Sequence, residues 1–116
     1  MVRAITVLAF VGGLVSGVAP AVAAEPSPVT LTLKDHRFTP STFTVPAGEK
    51  VRITLINQDA ATEEFDSHDL RVERLVTPRG KVTFSIGPLK PGEYSFMGEF
   101  HPDTAQGKVV AIRAGL

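Results

Sequence analysis

Over most of its length the chain alternates apolar and polar residues with a period of two. The run V-T-L-T-L-K over Val29–Lys34 does so, as does F-T-V at 43–45 ahead of the turn P-A-G-E. In V-R-I-T-L-I-N, Val51, Ile53 and Leu55 fall on one face, with Arg52 and Thr54 on the other. Residues 70–76, 82–86, 94–97 and 108–113 repeat the pattern, and the Gly/Pro-rich segments T-P-R-G-K, G-P-L-K-P-G and H-P-D-T-A-Q-G separate them. Such alternation predicts half-buried strands, and the glycines and prolines predict turns. No stretch carries the 3.6-residue spacing of an amphipathic helix. Seven or eight short strands in one domain predict an all-β Greek-key β-sandwich, with function expected on the loops at its two ends. Phe38, Phe43, Phe84, Phe96 and Tyr94 are the expected core aromatics.

The first two dozen residues break the pattern. Arg3 is followed by an uncharged apolar run over 4–18 and then by A-P-A-V-A-A ahead of Glu25. That order predicts a secretory signal peptide over residues 1–24. Val22 and Ala24 stand at the −3 and −1 positions of the cut, and Ala21 and Ala23 offer a second option. The competing reading is a retained anchor, against which stand Gly12, Gly13, Gly17 and Pro20 in a stretch near the minimum spanning length. Cleavage leaves one domain over 25–116, with no membrane span and a periplasmic or otherwise exported location.

Of the 116 residues, 12 are basic and 12 acidic, and the basic ones are scattered, so nothing predicts nucleic-acid binding. Cysteine is absent, which leaves an exported domain of this size without a disulfide or a thiolate ligand. G-x-S-x-G, H-E-x-x-H and phosphate-loop motifs are all missing, which removes the familiar hydrolase and transferase signatures.

Chemistry concentrates in two segments. Q-D-A-A-T-E-E-F-D-S-H-D, read as a loop over 58–69, holds Glu63, Glu64, Asp66, Asp69 and His68 close together. Residues 97–101 bring Met97, Glu99 and His101. At one end of a sandwich the two would converge on a site of oxygen and nitrogen donors. Imidazole with carboxylate suits Fe, Cu(II), Zn or Mn; a thioether leans towards Cu(I), and the lack of thiolate excludes a blue-copper centre. Period-two spacing places Tyr94, Phe96 and Gly98 on one face and Met97 and Glu99 on the other. His36, in K-D-H-R-F, is read as a surface residue.

The segment F-T-P-S-T-F-T-V-P-A-G at 38–48, the strand ending Ile56-Asn57, G-E-Y-S-F at 92–96 and the H-P ahead of G-K-V-V together resemble a cupredoxin. The likeness covers about 29–113. Within that superfamily the chain is similar to small exported proteins of bacterial ferrous-iron uptake that work beside an iron permease. Where copper-transfer cupredoxins carry Cys, His and Met, this chain has Gly98, His101 and Thr104. The resemblance matches the family's first His ligand to Glu64.

It therefore implies copper or iron held by Glu64 and His101, to which the residues of the two segments add His68, Glu99 and Met97 as further candidate ligands and Asp66 and Glu63 in second rank. Iron-permease components are the implied partners, and a ferroxidase-type role is compatible with hard donors. The alternative is a docking module whose scaffold has lost its metal.

Overall fold

The structure, a computed structural model, describes residues 25–113. The predicted signal peptide lies outside the described residues. The described residues form nine strands and no helix: β1 Val29–Lys34, β2 Arg37–Thr39, β3 Thr42–Pro46, β4 Val51–Asn57, β5 Glu63–Ser67, β6 Val72–Val76, β7 Lys81–Ile86, β8 Gly92–Gly98 and β9 Gln106–Ile112. None of them contains a helix long and apolar enough to cross a membrane. The all-β sandwich is as the alternation predicts, and two additional short strands, β2 and β5, raise the number to nine.

Two mixed sheets face each other, one in the order β2-β1-β4-β7 and one in the order β3-β9-β8-β5-β6. The pairs β1–β4 and β3–β9 are parallel and the rest antiparallel. The chain crosses between sheets from β2 to β3, β3 to β4, β4 to β5, β6 to β7 and β7 to β8, which is Greek-key winding rather than a meander.

Each sheet turns its apolar positions inward. Val51, Ile53 and Leu55 of β4 are fully buried beside Leu31 and Leu33 of β1, and Arg52 between them is exposed. Opposite them the second sheet contributes Phe65, Val76, Phe96, Val109 and Ala111. The centre is aromatic: Phe65 lies 4.8 Å from both Phe84 and Phe96, and Phe38 meets Phe65 and Phe96 edge-on. Pairs of this kind add about 0.5–1.5 kcal/mol each beyond their buried area. Phe43 and Tyr94 pack at the margin, partly buried. Phe65 anchors β5, and this cluster fixes where the neighbouring side chains of that strand point.

Candidate metal centre

Only Phe65 is strongly apolar in β5, and it must face the core. Its alternate neighbours Glu63 and Ser67 then share its inward side, and Glu64 and Asp66 point outward. The two inward polar residues are satisfied locally. Ser67 Oγ donates to the Ser95 carbonyl at 2.6 Å and accepts from the Leu70 amide at 3.0 Å. Glu63 is 1% exposed, and its Oε1 accepts from the amides of Glu64 (3.0 Å) and Phe100 (2.8 Å). Its Oε2 accepts from Nδ1 of His101 at 2.5 Å. Glu63, rather than Glu64, is the carboxylate that meets His101. Reading 58–69 as a loop hid the strand parity that decides between the two.

His101 is presented by a tight connection between β8 and β9. The amide of His101 donates to the Gly98 carbonyl at 3.1 Å, and that of Ala105 to the His101 carbonyl at 2.9 Å. Gly98 pairs with Phe65 across the sheet and lies directly under the Glu63 carboxyl group. A Cβ on Gly98 would stand 2.7 Å from Glu63 Cδ and 2.7 Å from Ala105 Cβ. The space that a side chain at 98 would need is thus filled by the carboxylate of residue 63.

A third residue completes the group. The β1–β2 hairpin turns through Asp35 and His36, both with positive φ (51° and 58°), the geometry of a two-residue type I′ turn. Lys34 pairs with Arg37 across this turn, so His36 projects from its tip. Its ring stacks on that of His101, with centroids 3.6 Å apart and planes 10° from parallel. The Asp59 carboxylate accepts from the amides of Asp35 (2.7 Å) and His36 (3.0 Å), and its Oδ2 lies 3.5 Å from His36 Nδ1. Partial burial works against ionisation of Asp59. The amide donors of His36 and Asp35 and the charges of His36 and Arg79 nevertheless hold its carboxyl below the ordinary value.

His36, Glu63 and His101 each offer a ligand atom within 4.8 Å of the others. His36, read as plain surface from the sequence, belongs to the group. The missed signal was the two-residue spacing between strands, which puts a hairpin tip at position 36.

The remaining expected ligands lie elsewhere. Glu64, Asp66 and Glu73 gather on the outer face of the five-stranded sheet, where Asp66 pairs with Glu73 on one side and Met97 on the other. Glu99 joins them: its amide donates to the Glu64 carbonyl at 2.9 Å. A hydrogen bond shared with Asp66 pushes the Glu99 carboxyl above its ordinary value, and the charges of Asp66, Glu64 and Glu73 add to the shift. Met97, 41% exposed, is on this outer face and away from His101. His68 is exposed in the β5–β6 turn, next to the Ser67–Val72 pair and so at the opposite end of β5 from Glu63. The expected constellation therefore divides into three places: Glu63 with His101, Glu64 with Asp66, Glu99 and Met97 on the outer face, and His68 by itself.

As a donor set, two imidazoles and one carboxylate fit a borderline or hard first-row cation. They do not fit a copper–thiolate centre. The chain has no cysteine, and the volume of a side chain at 98 is taken.

Comparison with known proteins agrees with this architecture. The sequence profile of a family described as a cupredoxin-like domain matches residues 4–111. An uncharacterized protein of Rickettsia prowazekii (strain Madrid E) is 45% identical over 82 residues, 71% of this chain; the chain spans 66% of that relative's length. Among solved structures, the Cu(I)-loaded metal-binding domain of a Cu(I)-exporting P-type ATPase of Streptococcus pneumoniae D39 superposes with a TM-score of 0.64 at 10% identity, covering 74% of this chain and 85% of that one. Reduced auracyanin of Roseiflexus castenholzii gives 0.61 at 14% identity, with 77% and 99% covered. Amicyanin of Paracoccus versutus gives 0.57 at 15%, with 78% and 86% covered. At these identities the solved structures share the fold.

Proposed function

The chain belongs to the cupredoxin-like family, and from that premise we propose that it is a metal-binding protein whose ligands are His36, Glu63 and His101. The observation that carries the reading is the Glu63 carboxylate, buried at 1% exposure yet in contact with one imidazole and within ligand reach of a second. Burying a carboxylate is costly unless it is paired, and a pair that opens to a half-exposed ring can exchange its proton for a cation. Two histidines and one carboxylate with open positions form the set used by non-haem Fe(II), and Cu(II) also accepts these donors. When bound, such a cation supplies a one-electron couple.

The chain's own part is limited and definable. Glu63 holds His101 in place through Nδ1 and supplies negative charge from inside the sandwich. The amides of Glu64 and Phe100 fix Glu63 Oε1, leaving Oε2, which faces His101 Nδ1, as the oxygen on offer to a cation. Hard oxygen and imidazole donors stabilise the oxidised ion, which agrees with handling of iron or copper during ferrous-iron uptake in the periplasm, beside an iron permease.

Isothermal titration of protein beginning at Glu25 with Cu(II), Zn(II) and anaerobic Fe(II) tests the reading. Binding is expected for the parent protein and is lost in Glu63→Ala and His101→Ala. No binding tighter than about 1 mM (roughly −4 kcal/mol) to any of the three would end it. Growth on limiting iron with and without the gene tests the uptake role separately.

A second reading has its own observation. Among the described residues, every buried polar side-chain atom has a hydrogen-bond partner, the Glu63 oxygens included. The Glu63–His101 pair can therefore close the end of the sandwich with no ion, leaving a docking module. On that reading the two substitutions lower stability and change no cation affinity.

A further inference from the structure

We propose that Asp59 is a positioning residue for this centre, clamping the turn at 35–36 from a distant loop so that His36 is held over His101. The inference rests on the metal-binding reading above for its consequence, but not for its geometry. The turn uses two non-glycine residues in the left-handed region, a conformation that Asp and His enter more readily than most residues but seldom without support. The support comes from the β4–β5 connection, where one Asp59 carboxylate takes both turn amides, one on each oxygen.

Asp59 is itself fixed. Its amide donates to Asn57 Oδ1 at 3.0 Å, and Asn57, 1% exposed, anchors its Nδ2 on the carbonyls of Ala61 (2.8 Å) and Thr77 (3.1 Å). The Arg79 amide closes the arrangement on the Asp59 carbonyl at 3.0 Å. A line of contacts thus runs from the buried end of β4 through Asp59 and His36 to His101 and Glu63.

The stacked geometry assigns His36 its role. The ring nitrogen lone pairs lie in the planes of their rings, and two near-parallel, stacked planes do not meet at the site, so both rings cannot aim in-plane at one ion. His36 therefore covers His101 in the structure as it stands and becomes a third donor by turning its ring, with the hairpin backbone held where it is. The 3.5 Å approach of Nδ1 to Asp59 leaves Nε2 as the nitrogen on offer. A carboxylate behind one nitrogen is the usual way a ligating histidine is aimed.

The experiment has two readouts on five proteins: the parent, Asp59→Ala, Asp59→Asn, His36→Ala and the double variant Asp59→Ala with His36→Ala. In cation-free protein, proton NMR reads the ring-current shift of the His101 ring carbon protons caused by the stack. The shift is expected to disappear in His36→Ala and in Asp59→Ala, and to return in part in Asp59→Asn, which keeps one acceptor for the turn. Cu(II) titration then reads the consequence. Asp59→Ala is expected to weaken binding by about tenfold, as loss of an outer-sphere carboxylate does. The double variant with His36→Ala should be no weaker than His36→Ala alone.

An unchanged ring-current shift in folded Asp59→Ala would overturn the inference, as would a loss of affinity that adds in full to that of His36→Ala. Loss of the shift in Asp59→Ala, with no Cu(II) binding by the parent, would uphold the clamp and overturn the metal reading. His36→Ala leaves the clamp intact and serves as the folded reference if Asp59→Ala is destabilised.

Discussion

Replacing Glu63 by alanine removes the acceptor for three donors at once: the amides of Glu64 and Phe100 and Nδ1 of His101. A buried donor left without a partner costs about 1–3 kcal/mol, and His101 can turn towards solvent, so the two amides set most of the loss. They give roughly 2–6 kcal/mol, and water entering the vacated space moves the value to the lower half, about 3 kcal/mol. Breaking a buried pair by deleting one member falls in a similar range, about 3–5 kcal/mol. In a domain of this size that lowers the Tm by roughly 10–20 °C. Glu63→Gln is the informative partner. Its Oε1 still accepts both amides, and only the charged contact with His101 is lost, about 1–2 kcal/mol.

Urea denaturation followed by far-UV circular dichroism measures both, since the chain has no Trp and a single Tyr. Retention of stability to within about 1 kcal/mol in Glu63→Ala would refute the reasoning. So would equal losses in the two variants, because the difference between them is the contribution of the amides.

Glu64→Ala is expected to leave cation affinity at the parent value while Glu63→Ala abolishes it, a contrast that isothermal titration reads directly. Gly98→Ala forces a Cβ within 2.7 Å of both Glu63 Cδ and Ala105 Cβ and should cost about 1–3 kcal/mol in denaturation experiments. Gly98→Cys meets the same obstruction and should give no intense copper–thiolate absorption when Cu(II) is added. The shared proton with Asp66 raises the Glu99 carboxyl above its unfolded value, so the fold is penalised as pH rises through the carboxylate range. Glu99→Gln should therefore raise the Tm at pH 7, with the gain vanishing below that range. The Asp59 carboxyl is shifted the other way, so its stabilisation is present above the ordinary carboxylate value and is lost as pH falls. Asp59→Asn should flatten the acid limb of a Tm-against-pH curve.

The sandwich was legible wherever one strand face is apolar. β1, β4 and β7 each place two or three aliphatic or aromatic residues at alternate positions, and that period alone orients them. β5 was not, because three of its five residues are acidic and only Phe65 is strongly apolar. Intrinsic β-propensity argues against E-E-F-D-S, and pairing with β6 and β8 on both sides overrides it. β2 is three residues long, too short for any period to declare itself. The site inherited the same difficulty. Matching a ligand position within a supposed loop leaves an error of one residue harmless; in a strand that error turns the side chain to the other face of the sheet. Anchoring the segment on Phe65 as a core residue would have sent Glu63 inward and Glu64 outward from sequence alone. His36 required the hairpin, and the hairpin required β2.

The glycine at 98 and the carboxylate at 63 are best understood as one feature rather than two. With glycine at 98 and a short side chain at 63, the end of the sandwich beside Phe65 and Ala105 would hold a void and two amides without acceptors. With glutamate at 63 and any larger residue at 98, the carboxyl group and the new Cβ would contend for the same 2.7 Å. Each residue makes the other tolerable, and the pair converts a position where a soft sulfur donor would sit into one occupied by a hard oxygen. Met97 lies on the outer face because its neighbours along the strand, Phe96 and Gly98, are the buried ones. The packing around residue 98 therefore places the Glu63 carboxylate, rather than a side chain of residue 98 itself, at this end of the fold.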